Sequence, residues 1–169
     1  MCIRDRGTSN NKALEIYNPT GFALDLGACE IQIYFNGHDT AETTIPLVDT
    51  VVGSNDVLVV CDSIDPTFCD LSVTNKNWFN GNDAVALVCN GSLLDVFGQI
   101  AFDPGFTDPD ELGFEQWLAA PVGTANETLR RKCAVTAGDT KGIDTFIPSL
   151  EWRTSPVDDF TDLGQHVCP

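Results

Sequence analysis

The chain has 169 residues, 43% hydrophobic and 20% charged, a balance that supports one packed core and excludes a disordered polymer. Its formal charge of −16 repels phosphate backbones and disfavours direct, non-specific nucleic-acid binding. No apolar run is long enough to cross a bilayer as a helix. In chain order, Leu14 and Ile16 alternate with Glu15 and Tyr17 until Asn18-Pro19-Thr20-Gly21 breaks the run. Ile31, Ile33 and Phe35 alternate with Glu30, Gln32 and Tyr34 as far as Asn36-Gly37. This period of two turns one set of side chains inward and the other outward. After Ser54-Asn55-Asp56, the apolar run Val57-Leu58-Val59-Val60-Cys61 suits a strand covered on both faces. Two apolar runs, residues 84–89 and 92–97, flank Asn90-Gly91, a pair that favours a type I′ hairpin because both turn residues need positive φ. Residues 103–123 read as a long surface excursion containing a short helix over residues 111–120. Residues 128–132 read as a strand, and a turn-rich segment follows Cys133. Strands at regular spacing, bounded by Gly, Pro, Asn and Asp, predict an all-β fold, an antiparallel sandwich in one domain.

The first six residues, Met1, Cys2, Ile3, Arg4, Asp5 and Arg6, resemble the translation of a transposase adapter used to prepare DNA for sequencing. On that reading the natural frame enters near Gly7, and residues 1–6 are set aside. A strand is then expected to be missing ahead of Ser9, which leaves the sandwich one unpaired edge. Seven cysteines become six (Cys29, Cys61, Cys69, Cys89, Cys133 and Cys168), and the charge becomes one unit more negative as two arginines and one aspartate leave. An even count in a loop-rich β protein suits disulfides and an oxidising compartment. Zinc sites usually carry a closely spaced cysteine pair. No C-x-x-C occurs, and Cys61 and Cys69 are too far apart to make one. Spacing leaves the connectivity open. The pairs taken forward are Cys61–Cys69, closing a short loop, Cys133–Cys168, pinning the tail, and Cys29–Cys89, between two strands.

Specific motifs then raise a family. Ser9-Asn10-Asn11-Lys12-Ala13-Leu14-Glu15-Ile16-Tyr17-Asn18 is followed by Asp25-Leu26, then by Trp78-Phe79-Asn80-Gly81-Asn82-Asp83-Ala84-Val85-Ala86-Leu87. Asp95-Val96-Phe97-Gly98-Gln99-Ile100 and Asp103-Pro104-Gly105 come next. Thr128-Leu129-Arg130-Arg131-Lys132, Ala137-Gly138-Asp139-Thr140 and Pro148-Ser149-Leu150-Glu151-Trp152 complete the order. Across residues 7–169 this series resembles the lamin-tail-like domains of bacterial secreted and cell-surface proteins. The resemblance implies an immunoglobulin-like sandwich within a larger exported protein, often one with a metal-dependent nuclease or phosphoesterase domain. It carries over no active site. Two departures are the adapter-like residues in place of the first strand and a stretch, residues 106–126, longer than the family's pattern.

Candidate chemistry is thin. His38 follows an Asn-Gly turn and His166 lies near the end, neither in a motif that pairs a base with a nucleophile. Carboxylate pairs are inevitable in so acidic a chain and read as a solvated face. Calcium would suit Gly138-Asp139-Thr140-Lys141-Gly142-Ile143-Asp144, or Asp158-Asp159 with Asp162; the plainer reading is that these carboxylates cap turns. Arg130-Arg131-Lys132 is expected to form salt bridges, with Arg131 on the opposite strand face from Arg130 and Lys132. Trp78 and Trp152 are expected to pack in or around the core, whereas Trp117, near Phe106 and Phe114, is the candidate for an exposed aromatic contact. No catalytic, cofactor-binding or metal-binding residue is assigned.

The expected function is therefore a non-catalytic accessory or interaction module of an exported multidomain protein, secreted or at the cell surface. The resemblance points to a nuclease- or phosphoesterase-like parent. The alternative is an adhesion or structural module with no enzyme attached. Expected partners are neighbouring domains or an extracellular protein or surface ligand.

Overall fold

The computed structural model describes residues 3–6, 11–62, 66–105 and 115–166. The fold is all-β, with one short α-helix, α1 (Pro148–Glu151), and one 3-10 turn (Pro66–Phe68) among the described residues. One sheet contains β1 (Ile3–Arg6), β2 (Lys12–Tyr17), β7 (Val57–Asp62), β8 (Leu71–Ser72), β13 (Thr128–Arg131) and β14 (Trp152–Ser155), ordered β14-β13-β1-β2-β7-β8. A second contains β4 (Cys29–Tyr34), β5 (Thr43–Pro46), β9 (Ala84–Cys89) and β10 (Ser92–Phe97), ordered β10-β9-β4-β5. Two small ribbons pair β3 (Leu24–Asp25) with β6 (Val51–Val52), and β11 (Leu118–Ala119) with β12 (Val122–Gly123). Pairing is antiparallel except for the short β7–β8 contact, whose connection the Cys61–Cys69 bond closes.

Alternation builds the core. Leu14 and Ile16 of β2, Leu58 and Val60 of β7, Leu129 and Trp152 join Ile31, Ile33, Val85, Leu87 and Phe97 of the second sheet in one buried cluster. The opposite faces of β2 and β7 are also covered. Ala13, Val59 and Cys61 pack with Phe160 and Leu163 of the C-terminal segment. The run from Val57 to Cys61 is thus buried on both sides, as its unbroken hydrophobicity predicts.

Two expectations are corrected. The strand expected to be missing is present, for β1 pairs with β2 and with β13 and lies inside the sheet. Backbone N–H and C=O groups carry that ladder, so an extended stretch of almost any sequence can occupy the place. The edges are β14 and β8 instead. The helix expected over residues 111–120 is absent from residues 115–120, where β11 turns back onto β12; residues 111–114 lie outside the described residues. Side chains here pair with backbone donors of the ribbon and its flanks. Gln116 Oε1 accepts from the backbone N–H groups of Thr124 (3.1 Å) and Ala125 (3.0 Å), and Thr124 Oγ1 from that of Trp117 (3.0 Å).

The Asn90-Gly91 hairpin forms between β9 and β10, with φ of 50° and 72° at the two turn residues, as a type I′ turn requires. Its register shifts between Leu93 and Asp95. Such a bulge re-aims side chains. Beyond it Asp95 is buried while Leu94 is exposed, and that burial prepares the site below.

Candidate ligand cleft

A cleft of about 290 Å³ opens where β2, the β9–β10 hairpin and β13 meet the segment after Cys133. Ile16, Leu87, Leu94, Val135 and Ala137 give it apolar walls, and Tyr17 and His166 form part of the lining with ring centroids 4.2 Å apart. Burial lowers the pKa of His166 from its ordinary value.

Its ionic part is Asp95 with Arg131, only 4% and 7% exposed. Arg131 Nη1 donates to Asp95 Oδ2 at 2.6 Å, Nε donates to Glu151 Oε2 at 3.2 Å, and Nη2 also reaches that Glu151 oxygen. The guanidinium carbon stands 5.3 Å from the Trp152 ring centroid. Asp95 Oδ1 accepts from the Asp139 N–H at 2.8 Å. Burial works against both charges, and nearby opposite charge outweighs it. Positive charge near Asp95, that of Arg131 included, holds its carboxyl below the usual range, while Asp95 and Glu151 raise Arg131. Asp95 and Arg131 are thus engaged with one another, and the rest of the lining is apolar and aromatic surface with His166 at its rim.

His38 lies outside the cleft, exposed, with Nδ1 against the Glu42 carboxylate. Asp139 caps its own turn, its Oδ1 accepting from Lys141 N–H at 2.8 Å. Asp159 and Asp162 face a cation already present, Arg130, at 2.9 Å and 3.1 Å, and Asp158 accepts from Asn11 at 3.4 Å. Arg130 holds the Asp159 carboxyl down to about 2. The guanidinium takes the place that a calcium ion would take between Asp159 and Asp162. Among the described residues no three His, Cys, Asp or Glu side chains form a metal-binding group.

Arg130, turned to the C-terminal segment, and Arg131, turned to the cleft, make the expected salt bridges, whereas Lys132 Nζ donates to the backbone carbonyl of Ser149 at 2.6 Å. Trp117, the candidate for an exposed contact, is instead 4% exposed, with Phe146 edge-on at 5.5 Å, because it packs on Tyr34, Ala84, Ala86 and Val96 of the four-stranded sheet. Phe106 and Phe114 lie outside the described residues. Trp152 is buried, and Trp78 is half-buried with Nε1 donating to Val73 O at 2.9 Å. Disulfides join Cys29 to Cys89 and Cys61 to Cys69; Cys133 is also disulfide-bonded, and Cys168 lies outside the described residues.

Sequence reasoning missed Asp95 and Glu15. The bulge that buries Asp95 leaves no mark in the hydrophobic pattern. Glu15 sits at an outward position of β2, yet it is fully buried beneath the C-terminal segment. Its Oε2 accepts from Gly164 N–H at 2.9 Å, its Oε1 has no partner, and burial pushes its carboxyl up to about 7.

The class these features define is an all-β, disulfide-bonded protein with a small, largely apolar cleft. No family model, characterised protein or solved structure matches the chain. Among the described residues no helix is long and apolar enough to cross a membrane.

Proposed function

We propose that the chain is a non-catalytic interaction module of an exported multidomain protein, built as an immunoglobulin-like sandwich of lamin-tail type. The observation that carries this reading is the closed Asp95–Arg131–Glu151 arrangement, which engages the buried charges of the cleft with one another. Nucleophilic or general acid–base catalysis needs a group whose proton or lone pair reaches a substrate. Two sheets sharing one apolar cluster support a sandwich, and two disulfides suit an oxidising compartment. The ordered motif series supports the lamin-tail resemblance, and with it a parent of the nuclease or phosphoesterase kind.

The test is twofold. Purified chain is assayed for hydrolysis of DNA, phosphodiesters, glycosides and peptides, with no turnover expected. Small aromatic probes are titrated in an NMR experiment, with shifts expected at the methyl groups of Ile16, Leu87, Leu94 and Val135. Turnover that disappears in His166→Ala or His38→Ala overturns the reading. Methyl groups that stay silent while others shift overturn the cleft as its binding surface.

A further inference from the structure

We propose that Asn36, Asn82, Asp103 and Glu115 form a calcium-binding site, built from none of the residues the sequence singled out for calcium. Asn36 follows β4, Asn82 precedes β9, Asp103 follows β10 and Glu115 precedes β11. Their convergence is built into the backbone. Gly37 has φ of +76°, and a Cβ there would stand 2.6 Å from Asp103 N; a Cβ on Gly81 would stand 2.7 Å from Glu115 O. Only glycine lets these segments approach so closely. Asp83 ties the turns together, its Oδ1 accepting from Asn36 N–H at 2.9 Å and its Oδ2 from Asn80 N–H at 2.6 Å.

At the centre lies the Asn82 amide, 1% exposed. Its Nδ2 is 2.8 Å from Glu115 Oε2, 3.2 Å from Asn36 Oδ1 and 3.3 Å from Asp103 Oδ1. Two N–H bonds face three acceptors. The other end of the amide, Oδ1, is buried without a partner, a state that costs free energy wherever it occurs. Half a turn of the amide presents Oδ1 to the same space and leaves four oxygens facing one another. A cation satisfies all four oxygens of that arrangement at once. Charge argues the same way. Asp103 and Glu115 bring two negative charges together, and among the described residues no lysine, arginine or histidine pairs with either.

The donors select the ion. All are hard oxygens, two carboxylates and two neutral amides on irregular turns, where calcium tolerates variable geometry and magnesium demands a near-octahedral one. Zinc prefers nitrogen and sulfur. Asn36 and Asp103 are exposed, which leaves an entry path and room for water to complete the shell. With only two carboxylates the affinity belongs with that of extracellular modules, on the order of 10⁻⁴–10⁻³ M.

The experiment is calorimetric titration of calcium chloride into chelator-stripped, full-length chain at physiological ionic strength. One saturable site is expected. The Asp103→Asn/Glu115→Gln double variant is expected to weaken it at least tenfold, and Asp49→Asn/Asp144→Asn, which removes the same charge elsewhere, to leave it unchanged. No saturable site, equal weakening by the control pair, or equal affinity for magnesium overturns the proposal. Asn82→Asp guards against a variant that fails to fold. It places a third carboxylate in the cluster, so its melting temperature is expected to fall in chelator and recover in calcium. A fall that calcium does not reverse overturns the site, since a simple amide bridge predicts that result.

Discussion

Arg131 joins three parts of the chain: Asp95 beyond the hairpin bulge, Glu151 at the end of α1, and the face of Trp152. Removing one member of a buried ion pair strands the other charge, which costs more than the pair contributes by its presence. Arg131→Ala is therefore expected to destabilise the fold by about 3–5 kcal/mol, measured by urea denaturation with the disulfides intact. Combining Arg131→Met with Asp95→Leu is expected to recover most of that loss, because an apolar pair incurs no desolvation penalty. A cost below about 1 kcal/mol for the single variant would mean that solvent already screens the pair, as at an exposed salt bridge. The basic cluster and its salt bridges were legible from Arg130-Arg131-Lys132 in an acidic chain. The partner Asp95 was not, because a one-residue bulge decides its burial.

Among the elements, the two disulfides constrain the chain unequally. Cys29–Cys89 links the adjacent strands β4 and β9 across a separation of 60 residues, whereas Cys61–Cys69 spans 8. Closing a longer loop removes more entropy from the unfolded chain, about 4 kcal/mol for the first against about 2.5 kcal/mol for the second. Replacing Cys29 and Cys89 by serine is expected to lower unfolding free energy by more than the same change at Cys61 and Cys69, by about 2 kcal/mol in the chain-entropy account. Equal losses would point to residual structure in the unfolded state instead. The hairpin was readable from Asn90-Gly91 alone, because a local backbone requirement dictates it. The β11–β12 ribbon was not. Its backbone donors depend on Gln116 and Thr124, whose side chains reach seven to nine residues along the chain.

Across the whole molecule, the segment before His166 lies over the outer face of the six-stranded sheet. Arg130 holds Asp159 and Asp162 at one end, Phe160 and Leu163 pack on Ala13, Val59 and Cys61, and His166 stacks on Tyr17 at the other. Beneath it Glu15 prefers to be protonated, with desolvation the main cause and the Gly164 N–H only partly offsetting it. The folded pKa, about 7, exceeds the ordinary 4.5, so the native state binds the proton more tightly than the unfolded chain. Stability from this group is complete below pH 4.5, falls as pH rises, and levels off above about 7. The loss is about 3 kcal/mol over that window. Glu15→Gln keeps the shape and removes the titration. Its stability relative to the native chain is expected to rise across the same window, read from urea midpoints at several pH values. A constant difference would mean that water already reaches the carboxylate.

By itself the sequence determined the all-β class, the strand alternation, the Asn90-Gly91 turn and the doubly covered run from Val57 to Cys61. Each follows from side-chain period or local dihedral need, quantities that neighbours along the chain decide. Only the tertiary structure decided which charges are buried, where Trp117 packs, and that residues 3–6 lie inside a sheet. It also gathered Asn36, Asn82, Asp103 and Glu115, four residues that the sequence offers as separate turns. Burial and convergence depend on what comes to rest against a residue from far along the chain, and period-two patterning says which face a side chain takes but not what covers that face.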